Sequence, residues 1–298
     1  MKKLKSIMRN LFLVFFSPKT KEKSEKIIVY ISIISFLLHL FIIALVNLKF
    51  IEINDHNNLL SNPISAIYTP FSFVLIYEVY LMLYYLPKST SIYIGKQYEI
   101  ICLILIRRIF KDLSNLELTT NWFNIKYNVL FTYDLIAILI LFWLIYIYYK
   151  LVKNNSSTNL KTSNPEIVSF ITLKQNIATC LIPVLIVLSI YSFTHWIFEN
   201  FFSLTKIVNS FKDVNKIFFD DFFTILILVD VLLLIYSFLH SDKFNKVIKN
   251  SGFIISTILI KLSFSASGLV NIILIVVAIL FGVLIFKIHN LFEKLENK

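Results

Sequence analysis

Cysteine, glycine and proline are all scarce here, at two, four and six residues in a chain of 298. The two cysteines, Cys102 and Cys180, both lie inside apolar runs. They form neither a disulfide framework nor a metal-ligand spacing, and read as small apolar core residues. So few glycines and prolines leave little punctuation for turns, linkers or disorder. Charge is thin as well, at 16% of residues, where a soluble domain carries about a quarter. There is no Gly-rich phosphate loop, no H-E-x-x-H, no G-x-S-x-G and no zinc spacing. The sequence therefore carries no familiar enzyme signature, and no catalytic residue, metal or cofactor is expected.

Apolar residues fill the space left, at 57% of the chain with a mean hydropathy of +0.77. They come in long runs, which makes lipid the solvent. Spans are read at 27–48, 66–86, 93–110, 129–149, 176–198, 217–239, 251–267 and 269–288. Most approach the ~20 residues that cross a hydrocarbon layer about 30 Å thick. The third and seventh are short and contain basic residues, and a hairpin merging the seventh and eighth is the alternative. The expected fold is an all-α polytopic transmembrane bundle of eight spans.

Net charge is +11. The basic residues flank the spans and form no nucleic-acid module. With the N-terminus inside, twenty Lys/Arg fall in cytoplasmic segments and six outside. That asymmetry puts both termini in the cytoplasm. Residues 1–26 are basic and enclose the apolar stretch Leu11–Phe16, which suits an amphipathic helix on an anionic inner leaflet; a protein partner is the alternative. The bilayer is the expected partner, with a second copy or another membrane protein as a further one, and no nucleic acid.

The two halves resemble each other. Phe71–Tyr84 aligns with Phe223–Tyr236, placing Glu78 on Asp230, and Ile100–Arg107 aligns with Ile254–Lys261. Matched ionisable residues carry weight because such residues are rare within spans. This divides the chain into a membrane unit at 27–153, an Asn/Ser-rich linker at 154–165, a second unit at 166–290 and a tail at 291–298. Four helices per unit keep both copies in one orientation, a parallel repeat.

Each unit then has its own polar set. In the first, Glu78 and Asp134 are expected to meet Arg107, with Arg108 beside it. In the second, Asp230, Lys261 and Asn271 take the equivalent places. An unpaired charge at the bilayer centre costs about 2.5–3.5 kcal/mol on insertion scales, so these groups must face protein or water. They either fix helix order and register or line an ion or proton path. His39 and His195, late in the first and fifth spans, are read as helix–helix hydrogen bonds or as a proton relay. Asp220 and Asp221 are read as hydrated interfacial acids or a cation vestibule. Pro70 and Pro183 are read as packing kinks or as sources of a free carbonyl.

The run Tyr77-Glu78-Val79-Tyr80-Leu81, then Arg107 to Asp112, then Tyr133-Asp134, resembles the phosphate-starvation-inducible PsiE-like membrane proteins. The likeness covers about 70–150. It implies a four-helix unit with an acid in helix two, an arginine near the end of helix three and an aspartate opening helix four. This chain would be a fused pair in a bacterial inner membrane. Two functions stay open: an ion or small-solute channel or transporter using the paired charges, or a non-transporting sensor or scaffold acting through a partner.

Overall fold

The computed structural model describes residues 2–50, 63–113, 116, 122–156, 165–197, 214–238 and 244–296. Among these the secondary structure is helical, without a strand. The helices are α1 (Lys2–Phe15), α2 (Pro18–Asn47), α3 (Tyr68–Tyr85), α4 (Thr90–Asp112), α5 (Lys126–Ser156), α6 (Pro165–Ile197), α7 (Val214–Phe238), α8 (Phe244–Ser265) and α9 (Leu269–Glu296). Five, namely α2, α5, α6, α8 and α9, are long and apolar enough by themselves to cross a membrane. Eight spans are expected from the sequence; among the described residues, α3, α4 and α7 fall where three of them are expected but are not among those five.

Most of the boundaries have local causes. Ser17 ends α1 and caps α2, its Oγ accepting from the Thr20 N–H at 3.1 Å, and Pro18 sits at the first helical position, where its missing N–H costs nothing. The basic run Lys19–Lys26 is therefore the opening of α2, where the sequence reading leaves it outside the first span. Pro70 likewise falls in the first turn of α3, so it is no kink, whereas Pro183 lies inside α6. Gly268, with φ of +61°, makes the left-handed turn between α8 and α9 that a side-chain-bearing residue would strain. The linker expected at 154–165 falls mostly outside the described residues.

Apolar side chains cover both faces of these helices. On α5, Ile138, Leu141, Leu144 and Tyr148 are buried, while Leu139, Phe142, Trp143 and Tyr146 are exposed. A soluble helix would put polar residues on its outer stripe. Here the outer stripe is apolar because its solvent is hydrocarbon. Cys102 is buried as expected, but Cys180 is on the exposed side of α6.

Within each half every helix packs on the next in sequence. Among the described residues α5 and α6 do not pack on each other, and the two halves join chiefly where α5 meets α9, with smaller contacts of α4 on α8 and α3 on α6. One apolar core runs through both halves, from Leu75 to Phe286. Helix α4 sits at its centre, with Tyr93, Gln97, Tyr98, Ile100 and Ile101 at most 2% exposed. Helix α1 is held against α3, where the Tyr80 hydroxyl donates to the Phe15 carbonyl at 2.8 Å and the Tyr80 ring stacks on Phe16.

Close helix approach in lipid depends on small residues, and three of the four glycines serve that purpose, Gly95 of α4 against Tyr149 of α5 and two at the α8–α9 seam. A Cβ on Gly282 of α9 would lie 1.8 Å from Tyr98 Oη, and one on Gly252 of α8 would lie 2.6 Å from Ile285 Cγ2. The Tyr98 hydroxyl is fixed there by Ser256 Oγ at 3.0 Å, and Ser256 in turn donates to the Ala278 carbonyl at 2.7 Å. Gly282→Ala should therefore destabilise the bundle by about 1–3 kcal/mol through overpacking. Thermal unfolding in detergent checks this: adding Tyr98→Phe should recover part of the loss, and equal melting of Gly282→Ala and wild type would refute it.

Candidate functional site

The polar side chains of the interior gather in two layers. One lies toward the end where α4 finishes and α5 and α9 begin. The other lies toward the opposite end, which carries α1, the α3–α4 turn and the tail of α9; this is called the basic end below.

In the first layer Arg108 of α4 makes a two-pronged contact with Asp134 of α5. Its Nε donates to Asp134 Oδ2 at 2.9 Å and its Nη2 donates to Oδ1. Its Nη1 donates to Asn271 Oδ1 at 2.6 Å, across to α9. Asn271 completes the set by donating its Nδ2 to the Ser263 carbonyl at 2.5 Å. That carbonyl lies in the last turn of α8, where helix carbonyls lack a full set of intrahelical partners. An amide fits because it offers an acceptor to the guanidinium and a donor to the carbonyl at once.

This corrects the expected pairing in two respects. Asp134 takes Arg108 rather than Arg107. The two arginines are neighbours, about 100° apart around the helix axis, so only one can face α5, and Arg107 is buried on a different side of α4. Asn271 belongs with the first half's charges rather than with Asp230 and Lys261, because α9 packs on α5.

Glu78 does not meet Arg107 either. It lies seven residues from the end of α3, about 10 Å at 1.5 Å per residue, whereas α4 begins at Thr90 and Arg107 is seventeen residues in. That is a height of about 25 Å by the same rise, too far for the side chain to return. Glu78 lies instead in the field of Lys96 and Glu99. Lys96 pairs with Glu99 at 2.5 Å, and Glu99 accepts from the Tyr149 hydroxyl.

The second layer surrounds Asp230 of α7, which is 8% exposed. Gln97 of α4 donates its Nε2 to Asp230 Oδ2 at 3.3 Å and accepts at Oε1 from Thr257 Oγ1 of α8 at 2.8 Å. Asp230 and Lys174 of α6 share the wall of a cavity of about 30 Å³, together with Tyr93 and Asn250. The Lys174 ammonium is buried and donates at the rim to the Lys88 carbonyl at 3.3 Å and Thr90 Oγ1 at 3.4 Å. Lys261, the expected partner of Asp230, is half-buried farther along α8 and does not bond to it.

Sequence reasoning finds Asp230 and misses the residues that surround it. Lys174 reads as a loop lysine because it precedes the apolar run, but α6 begins nine residues earlier, at Pro165. Tyr93 and Gln97 carried a usable signal, since residues four apart share a helix face.

The histidines divide differently. His39 Nδ1 is 2.5 Å from Thr69 Oγ1 of α3, the helix–helix bond anticipated. The side chains of His195 and Asp220 and the whole of His56 and His240 lie outside the described residues. His289 joins α9 to α8, with Nδ1 2.7 Å from Asn245 Oδ1.

No family model matches the sequence, and no curated protein or solved structure matches it.

Removing the Asp134 carboxylate leaves Arg108 without its main partner. A buried pair broken in this way costs about 3–5 kcal/mol, but the Arg108 side chain is 32% exposed and can turn its head outward. Asp134→Ala should therefore destabilise by about 2–3 kcal/mol, below that range. Asn271→Leu should cost about 1 kcal/mol, and the two losses should not add because the residues share Arg108. A double-mutant cycle on thermal unfolding measures this, and strict additivity would refute the shared network.

Proposed function

We propose that this chain is an integral membrane protein that passes a small ion, with Asp230 as the intramembrane group that receives it from the basic end. The observation that carries this reading is the Asp230–Lys174 cavity. A buried carboxylate and a buried ammonium line one void instead of closing on each other. Ionisable residues inside membranes are costly and commonly mark ion or proton routes. A volume of about 30 Å³ is roughly the space of one water molecule, which favours an ion over an organic solute.

The setting proposed with it is a bacterial inner membrane crossed eight times, with both termini cytoplasmic and the four-helix unit present twice. The charge asymmetry of the segments between spans supports the orientation. The matched Glu78 and Asp230 support the duplication, as does the same neighbour order along α2–α5 and α6–α9. The PsiE-like run at 70–150 agrees with this setting.

A second reading has its own support. The Arg108–Asp134–Asn271 set uses its donors and acceptors on other helices, as a device for fixing helix order would, and a non-transporting sensor or scaffold needs no more than that.

Flux through purified protein in liposomes separates the two. Ion-dependent flux is expected from wild type and should be lost in Asp230→Asn, while Asn271→Leu should keep it. A wild-type protein that melts cooperatively yet passes no ion would overturn the ion-pathway reading and leave the scaffold.

A further inference from the structure

The Asp230 cavity contains more unsatisfied chemistry than the carboxylate alone. The hydroxyl of Tyr93, a residue 2% exposed, faces Asp230 and Gln97 without closing a well-formed hydrogen bond on either, and the buried Oδ1 of Asn250, a residue on the same cavity wall, has no partner. One buried oxygen without a partner and one loosely held, on the wall of a small cavity that also carries a carboxylate and an ammonium, call for an occupant that can hydrogen-bond them. Internal water is the usual one, making two to four such bonds. The volume of about 30 Å³ is room for roughly one.

We propose that the ion handled here is the proton, and that water bound between Tyr93, Asn250 and Asp230 relays it from Lys174. This rests on the ion-pathway reading and names its substrate. A metal cation would meet the Lys174 ammonium on the same wall and would be repelled at short range. A proton needs only an unbroken row of groups that both give and accept hydrogen bonds. The step balances as a relay: the Lys174 ammonium gives a proton to the water, the water gives one to a carboxylate oxygen of Asp230, and a neutral amine and a neutral acid remain. Reprotonation of Lys174 from the basic end resets the donor, and loss of the Asp230 proton toward the opposite end resets the acceptor.

The groups around Asp230 suit that sequence. Gln97 and Tyr93 face it from α4, Lys174 from α6 and Asn250 from α8, with Thr257 of α8 bonded behind Gln97. The next charges beyond Lys174 are Lys249 of α8 and, past it, Glu293 of α9. Lys174 stands between Asp230 and the Lys88 carbonyl at the rim, so it occupies the entrance.

Liposomes holding the full chain and a pH-sensitive dye, with the membrane potential clamped by potassium and valinomycin, test the proposal. Wild type should acidify the lumen under an inward proton gradient, more slowly in deuterated water, and should pass no sodium in a parallel tracer assay. Tyr93→Phe is the informative variant: it deletes a hydroxyl that Asp230 and Gln97 hold only loosely, so its melting temperature should fall little while proton flux falls. Lys174→Gln should lose flux, and Lys174→Arg should not restore it, since a guanidinium does not deprotonate. Wild-type flux in Tyr93→Phe overturns the water relay. Sodium flux lost in Asp230→Asn overturns the proton as substrate while leaving an ion pathway in place. Absence of any ion flux overturns both readings.

Discussion

A charged or amide side chain inside a hydrocarbon layer must take its partner from another helix, because neither lipid nor its own backbone can supply one. Helix α4 carries Gln97, Arg107 and Arg108 within its length, so its surroundings are dictated by what can satisfy them. Arg108 draws in α5 and α9, and Gln97 draws in α7 and α8. The same helix offers Tyr98 to the small-residue seam of α8 and α9. A helix with this many polar obligations can exist only at the centre of the bundle, enclosed by helices whose outer faces are apolar. Its own limited hydropathy is the consequence of that position.

The two polar layers differ in a way that bears on function. Near the α4–α5 end, Arg108, Asp134, Asn271 and the Ser263 carbonyl form a closed set in which each acceptor faces a donor. Such a set rigidifies, and leaves no vacancy for an ion. Near the basic end, Asp230 accepts an amide donor, Lys174 is bonded to the rim, the Tyr93 hydroxyl is held only loosely, and the Asn250 Oδ1 has no partner. Unsatisfied polar atoms are expensive in a low-dielectric interior, so a fold keeps them only where something fills the gap. The closed layer holds the helices in place, and the open one is the seat of the proposed proton relay.

The first helix adds a different kind of constraint. Phe12 and Phe16 turn inward while Ile7, Leu11 and Val14 remain outward, and the Phe15 carbonyl is tied to Tyr80. An amphipathic segment that would otherwise float on the headgroups is thereby registered against α3, one helix away from the α4 face that lines the cavity.

Composition and run length were enough, without coordinates, to make this an all-helical chain with membrane-crossing segments, because burying about 20 consecutive apolar residues in lipid is a one-dimensional property. They also marked Asp230, Asp134, Arg108 and Asn271, since an ionisable or amide residue within an apolar run is conspicuous by itself. Which of these meet was not legible. Arg107 and Arg108 are adjacent in the chain, and only the packing of α5 and α9 on α4 decides which one is bidentate. Helix starts displaced from the expected spans, by three residues at Thr90 and eleven at Pro165, moved Arg107 out of reach of Glu78 and brought Lys174 inside. The pairing of Asp230 with Gln97 joins residues 133 positions apart, and a periodicity that repeats within one helix carries no information about the face another helix presents.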